Sequence, residues 1–309
     1  MQNPYKRLDV FRCKLDSHES FSGRVSPYHV LKVKRCLDEG CFYFKWRCRL
    51  LEKGASCRKG YKHPGKNCLG CRYYFEDKLH KVPEVRLTEA AYRSFLRELE
   101  DFEDWLADYL GRRLTVYGRV NHVGPLLVKT LYPKNSRVAL KGYLANFAEC
   151  YLDRTHLEDF VYLRLSASLQ RRLGLVRGDL VEFTAELALD EGRLVLENPG
   201  RFEFEQRESS RFAAAPLAGL VEARLARVLC EQSERCIRCE RGRLVDVLEK
   251  EIGGFRFLRR ELYCLEGVRD PAPCCWKALA EIGLRDRPGE DGDEQELREL
   301  ILSYRKTYG

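Results

Sequence analysis

Fourteen cysteines in a chain of 309 residues restrict the possible folds of this sequence more than any other feature. Two pairs, Cys68/Cys71 and Cys236/Cys239, have the C-x-x-C spacing that lets two thiolates reach one metal ion from a tight turn. No apolar run has transmembrane length and no apolar leader follows Met1, so we expect a cytoplasmic protein without a membrane partner. Disulfides are disfavoured in the cytoplasm, and cysteine pairs there indicate metal binding or redox chemistry.

A first cluster supplies four candidate metal ligands: Cys48, Cys57, Cys68 and Cys71. Gly70 permits the bend that brings the last two sulfur atoms to one ion. The segment is short, polar and glycine-rich, so a bound metal would help it to fold. Cys36, Cys41 and His63 are substitute ligands. A redox C-x-x-C pair normally lies between a strand and a helix, which is not the context predicted here.

A second cluster supplies four more candidate ligands: Cys236, Cys239, Cys264 and Cys274. Residues 236–247 resemble a zinc-ribbon knuckle that runs into a strand, and residues 255–263 can return as the second strand to Cys264. The pattern then departs from the ribbon, because adjacent cysteines at 274 and 275 replace the second C-x-x-C pair. Zinc and iron–sulfur clusters use the same thiolates, so we predict two zinc sites, with a 4Fe–4S cluster as the alternative. Independent buried thiols are the alternative without metal.

Charge and periodicity divide the chain into four segments. Residues 1–87 form a basic cysteine-rich module with 20 lysines and arginines against nine aspartates and glutamates, which suggests an anionic partner such as nucleic acid or a solvated basic surface. Residues 88–111 predict an amphipathic helix capped by Thr88 and Gly111, whose apolar stripe packs on a neighbouring domain or binds a protein partner. Residues 206–309 predict a helical domain with the cysteine-rich insert and a last amphipathic helix near 297–304.

The remaining segment, residues 112–205, predicts β-structure with a short helix at 166–173. The predicted strands are 114–121, 137–147, 149–152, 160–165, 180–187 and 193–204. Residues 159–165, 166–173, 175–185 and 192–197 resemble the third strand, the helix and the last two strands of an OB-fold, a small barrel common in proteins that bind single-stranded nucleic acid. The expected fold class is therefore α+β, with a central OB-like β-barrel flanked by cysteine-rich metal-binding modules and amphipathic helices.

The early strands of this segment each oppose an apolar face to a face with aromatic and basic side chains. Aromatic rings stack on bases, and arginine or lysine neutralises phosphates. The predicted nucleic-acid-binding residues are Tyr117, Arg119, Lys141, Tyr143, Phe147, Tyr162 and Arg164. A second core against the helix or against a partner protein is the alternative use of these aromatics.

The search for catalytic motifs gives little support for an enzyme. The sequence has no P-loop, no G-x-G-x-x-G and no G-x-S-x-G, and Glu76-Asp77-Lys78 matches the short E-x-K pattern of some nucleases without an upstream strand that ends in aspartate. We therefore expect a non-enzymatic protein that binds single-stranded DNA or structured RNA. The alternatives are an iron–sulfur protein in electron transfer or redox sensing, and a structural subunit of a larger complex.

Overall fold

The computed structural model describes residues 1–15, 23–208, 218–230, 236, 241–271 and 274. Of these residues, 45% lie in strands and 22% in helices. The helices are α1 (Arg49–Glu52), α2 (Glu89–Tyr109), α3 (Ala167–Leu173) and α4 (Ala218–Leu225), with shorter helical turns at Pro4–Lys6, Tyr28–Val33 and Lys66–Cys68. The strands are β1 (Phe11–Arg12), β2 (Arg24–Val25), β3 (Cys41–Cys48), β4 (Tyr74–Lys81), β5 (Glu84–Val85), β6 (Arg113–Arg119), β7 (His122–Leu131), β8 (Ser136–Phe147), β9 (Cys150–Leu152), β10 (Thr155–Leu157), β11 (Val161–Leu165), β12 (Leu180–Asp190), β13 (Arg193–Gln206), β14 (Arg227–Val228), β15 (Gly242–Glu251) and β16 (Gly254–Cys264).

Eleven of these strands form one mixed sheet in the order β10-β9-β6-β12-β13-β11-β8-β7-β15-β16-β14. The sheet is not closed, so the predicted OB-like barrel is wrong. Strand β7 pairs in parallel with β15, from Val128 with Asp246 to Leu131 with Glu249. The C-terminal hairpin β15–β16 therefore extends the sheet beyond β7. Strand β7 does not pair with β10, the strand at the opposite end of the sheet.

Strand β7 is not among the predicted strands, and it contains Gly124 and Pro125, two residues that normally interrupt a strand. Pro125 pairs with Tyr143 of β8, and the pairing with β15 begins only at Val128. A proline has no N–H to donate, so it is tolerated where the strand has a partner on one side only. The position of Pro125 is thus compatible with a strand that becomes central only in its second half.

The predicted alternation of faces is confirmed in β6 and β12. Every second residue from Leu114 to Val120 and from Val181 to Leu187 is buried, and these side chains join one core. The helix predicted at 166–173 is confirmed as α3, with Ser166 as its N-cap. The two-residue period of these strands and the position of the helix therefore agree with the sequence pattern.

Helix α2 confirms the predicted amphipathic helix and both of its caps. The side chain of Thr88 accepts a hydrogen bond from the amide of Ala91, and Gly111 has a positive φ of 75°. The buried face packs into the same core as the sheet and the N-terminal strands, with Phe95, Leu99, Phe102 and Leu106 as its members. The expected docking of this stripe on the rest of the protein is confirmed.

Two smaller sheets hold the N-terminal part of the chain. Strand β1 pairs with β2 and β5, and β3 forms an antiparallel hairpin with β4. The loop between β3 and β4 contains most of the first cysteine cluster. Throughout the described ranges, no helix combines the length and the apolar character needed to cross a bilayer. The predicted helix near 297–304 lies outside the described residues.

Candidate functional site

The loop that joins β3 to β4 brings the four cysteines of the first cluster around one cavity of about 210 Å³. Cys48 is the last residue of β3 and pairs with Tyr74, the first residue of β4, so the hairpin ends at the cavity. His63 lines the same cavity, together with Cys48, Cys57, Cys68 and Cys71. The sequence thus predicted correctly which thiols share a neighbourhood.

Backbone geometry in this loop presents amides to sulfur. The amide of Lys59 donates to Cys57 Sγ at 3.4 Å, and the amide of Cys71 donates to the carbonyl of Cys68 at 2.9 Å, which closes the C-x-x-C turn. Amide hydrogen bonds from Lys59 and Tyr61 lower the pKa of the Cys57 thiol below its usual value. Such amides stabilise a thiolate, the form that binds metal.

The metal-binding modules are a second part of the expected fold class that the described structure does not support. Within the described residues, no three His, Cys, Asp or Glu side chains are arranged so that they could hold a metal ion. The four cysteines line the cavity, and the segment folds as the β3–β4 hairpin with a long loop. Among the described residues no cysteine-rich metal-binding module is seen, so this part of the expected fold class is wrong.

The second cluster is only partly described. Cys264 ends β16 and is buried in a small cluster with Leu8, Leu229 and Leu262, against which Cys236 also packs. Cys274 is half-buried and follows the hairpin, and Cys239 lies outside the described residues. The hairpin β15–β16 confirms the two strands that the zinc-ribbon resemblance implied.

Two of the substitute ligands lie elsewhere. Cys36 is buried, and its burial and the hydrogen bond with Cys41 raise the pKa of its thiol to about 12. The buried Cys13 lies close enough to both thiols to interact with them electrostatically. These three thiols form a separate group beneath the start of the hairpin, while His63 alone of the substitutes lines the four-cysteine cavity.

The predicted nucleic-acid-binding residues do not form one open surface. Phe147 is fully buried in the core, so it is not available for stacking on a base. Tyr162 is 7% exposed and lies between the cations of Lys6 and Arg193. Arg164 forms ion pairs with Asp190 and Glu197.

The other four predicted residues are more accessible but scattered. The hydroxyl of Tyr117 donates to Glu205 at 3.0 Å, and Arg119 donates to the carbonyl of Gly178 and to Gln206. Lys141 is exposed, and Tyr143 is half-buried with its hydroxyl close to Gly219 of α4. Carboxylates and neighbouring elements therefore occupy much of the face that the alternation predicted.

An open aromatic and basic face lies instead on the β3–β4 hairpin. Phe42 and Phe44 are 57% and 56% exposed, and they pair across the strands with His80 and Lys78. The Phe42 ring stacks on His80 at 4.4 Å, and Lys78 Nζ lies 4.6 Å from the Phe42 centroid. We call Phe42, Phe44, Lys78 and His80 the hairpin face. The alternation of 41–48 was the signal that could have found it.

Comparison of the chain with protein-family models, with curated proteins and with solved structures finds no match.

Proposed function

We propose that this protein binds single-stranded nucleic acid through the hairpin face. The observation that supports the proposal is the exposure of two phenylalanine rings, Phe42 and Phe44, next to two basic side chains. Transfer of a large apolar ring out of water lowers the free energy, so a ligand that covers these exposed rings binds favourably. Bases offer flat π-faces for such rings, and the phosphates between them attract cations.

The positions of Phe42 and Phe44 in β3 allow both rings to contact one nucleic-acid strand. Phe42 and Phe44 are two positions apart in β3 and therefore point to the same side of the hairpin. Lys78 and His80 stand opposite them on β4, and Lys78 supplies positive charge within reach of the Phe42 ring. The surrounding residues 1–87 have a strong excess of basic side chains, which adds long-range attraction for a polyanion.

The test is a double substitution, Phe42→Ala with Phe44→Ala, in the full chain. Stacking contributes about 1–3 kcal/mol per base, so affinity for a single-stranded oligonucleotide should fall roughly 30-fold or more. The matched control is Phe255→Ala on the other hairpin, since Phe255 is 55% exposed and has Lys250 Nζ 4.4 Å from its ring. Fluorescence anisotropy with DNA and RNA strands measures the affinity.

Lys78→Gln separates phosphate contact from stacking. Loss of one phosphate contact should reduce the slope of log affinity against log salt by about 1, with the fold unchanged. Lys250→Gln should leave the slope unchanged. Equal affinity of the wild-type chain and the double phenylalanine variant would refute the proposal, as would a preference for duplex over single strands.

A second candidate function rests on the four-cysteine cavity, where we infer that the thiols bind a metal centre. Four cysteines from a strand end and a loop surround one space, and one of them already accepts an amide hydrogen bond. Zinc would need the sulfur atoms drawn to one ion, whereas a 4Fe–4S cluster spreads the same ligands over a larger volume. The cluster version would make the protein an electron carrier or a redox sensor.

Anaerobic purification followed by metal analysis and a visible spectrum distinguishes these centres. A coloured protein with iron and sulfide supports the cluster, and a colourless protein with zinc supports a structural site. Cys68→Ser should remove the metal of this site, whereas Cys150→Ala, a single buried thiol in the sheet core, should keep it. A wild-type chain with neither metal, or a Cys68→Ser variant with unchanged metal content, refutes the inference.

A further inference from the structure

A second cavity, of about 160 Å³, lies where the C-terminal hairpin meets the central sheet. Four arginines from four different strands line it, and two aspartates face them. The arginines are Arg164 of β11, Arg193 of β13, Arg243 of β15 and Arg260 of β16. Glu197 also pairs with Arg164, so four cations face three carboxylates and one positive charge remains in excess around the cavity.

The two aspartates organise these cations. Asp190 accepts hydrogen bonds from Arg164 at 3.1 Å and from Arg260 at 2.7 Å, and it also pairs with Arg193. Asp246 accepts a further hydrogen bond from Arg260 Nε. The guanidinium groups of Arg164, Arg193 and Arg260 are thereby fixed in orientation before any ligand arrives, so that binding would not require them to be ordered.

Arg260 is the least accessible of the four. Its side chain is 5% exposed, and its Nη1 atom is buried with no hydrogen-bond partner in the described structure. A buried donor on a charged group without a partner lowers stability, and native structures normally satisfy such groups. The cavity beside Arg260 therefore has both an excess of cations and an unfulfilled donor.

We propose that this cavity, the arginine pocket, binds a phosphate group. A tetrahedral dianion can accept hydrogen bonds from guanidinium groups that approach from several directions, and the planar fork of arginine suits phosphate oxygens. Asn146 and Tyr162 add polar groups at the wall. The space is several times the share of one water molecule in the liquid, about 30 Å³, which gives room for a phosphate.

Isothermal titration of the full chain with inorganic phosphate tests the pocket directly. Arg260→Gln and Arg243→Gln should each weaken phosphate binding roughly tenfold or more, because each removes a charge-assisted hydrogen bond. The matched control is Arg256→Gln on the same hairpin, whose side chain is 59% exposed and lies outside the pocket. Arg243→Gln leaves the contacts of Asp190 intact, so it tests the pocket even where Arg260→Gln impairs folding.

The phosphate can be free or can end a nucleic acid, and only the second source rests on the function proposed above. Two oligonucleotides that differ only in a 5′-phosphate distinguish the sources. Tighter binding of the phosphorylated strand, lost in Arg243→Gln but kept in the Phe42/Phe44 double variant, identifies a terminal phosphate as the ligand. Binding of inorganic phosphate without that difference identifies free phosphate. No measurable phosphate binding to the wild-type chain, or unchanged binding by both arginine variants, overturns the proposal.

Discussion

Replacement of Asp190 by asparagine tests how strongly the arginine network joins the C-terminal hairpin to the sheet. Asp190 ends β12 and binds arginines from β11, β13 and β16. Asparagine keeps the shape of the side chain and removes its charge. The side chains of Arg193 and Arg260, 9% and 5% exposed, would then be buried without the anion that they now share.

The expected cost follows from these contacts. Removal of one partner from a buried ion pair destabilises a protein by about 3–5 kcal/mol, since the remaining charge stays out of water. Arg260 keeps Asp246 and Arg164 keeps Glu197, and the amide oxygen of asparagine can still accept a hydrogen bond. We therefore expect a loss near the lower end, about 3 kcal/mol at about pH 7.

The same network predicts the pH dependence. Burial would raise the pKa of Asp190, but the charges of Arg193, Arg260 and Arg164 hold it well below its usual range. A group whose pKa is depressed in the folded state stabilises the protein above its unfolded pKa, about 3.9 for aspartate. This stabilisation is lost as the pH falls from about 4 towards the folded pKa. The asparagine variant should lose less stability than the wild type over that interval.

Urea unfolding followed by tryptophan fluorescence and circular dichroism gives both quantities. Glu197→Gln is the matched control, since Glu197 pairs with Arg164, which keeps Asp190, and is 37% exposed, and it should cost under about 1 kcal/mol. An Asp190→Asn variant within about 1 kcal/mol of the wild type at about pH 7 would show that the network does not stabilise the fold. Parallel pH profiles of the two proteins would refute the assigned role of the charge.

The remaining predictions concern helix α2 and the sheet, and each is measured by urea unfolding. Thr88→Ala should cost about 1 kcal/mol because it removes the hydrogen bond to the amide of Ala91, whereas Ser at this position should keep it. Phe102→Ala should cost about 3–5 kcal/mol because the ring is 1% exposed and packs edge-to-face on Tyr5. Gly142→Ala should cost more than about 1 kcal/mol, since the added Cβ would lie 2.2 Å from the carbonyl oxygen of Leu165, whereas Gly254→Ala meets no atom within 4 Å.

Local structure was predictable because short-range periods decide it. The caps of α2, the alternation of β6 and β12, and the hairpin β15–β16 all depend on residues close together in the chain. A sheet closes into a barrel only when its two edge strands pair with each other. Here residues 246–249, more than a hundred positions from β7, pair with β7 instead. No local period records such a pairing, so the resemblance of residues 112–205 to a barrel gave the wrong architecture.

The candidate site divides in the same way. Cys48, Cys57, Cys68 and Cys71 were grouped correctly because a single hairpin and its loop contain all four. Two of the predicted stacking residues, Phe147 and Tyr162, are buried, because alternation tells which side chains share a face and not which face stays open. The Phe147 ring packs on Phe183 in the core, and Tyr162 is covered by Lys6 and Arg193, so their burial follows from tertiary packing.

The arrangement of the hairpin links its two proposed activities. Cys48 pairs with Tyr74 at the cavity end of the hairpin. In the same register, Phe44 pairs with Lys78 and Phe42 with His80, four and six positions before Cys48. A metal centre that holds Cys48, Cys68 and Cys71 would hold the end of β3 in place and so fix the pairing of β3 with β4. A shift by one residue would turn both phenylalanines to the opposite side of the hairpin. If both proposals hold, removal of the metal should weaken nucleic-acid binding through the orientation of Phe42 and Phe44, without any contact between metal and nucleic acid.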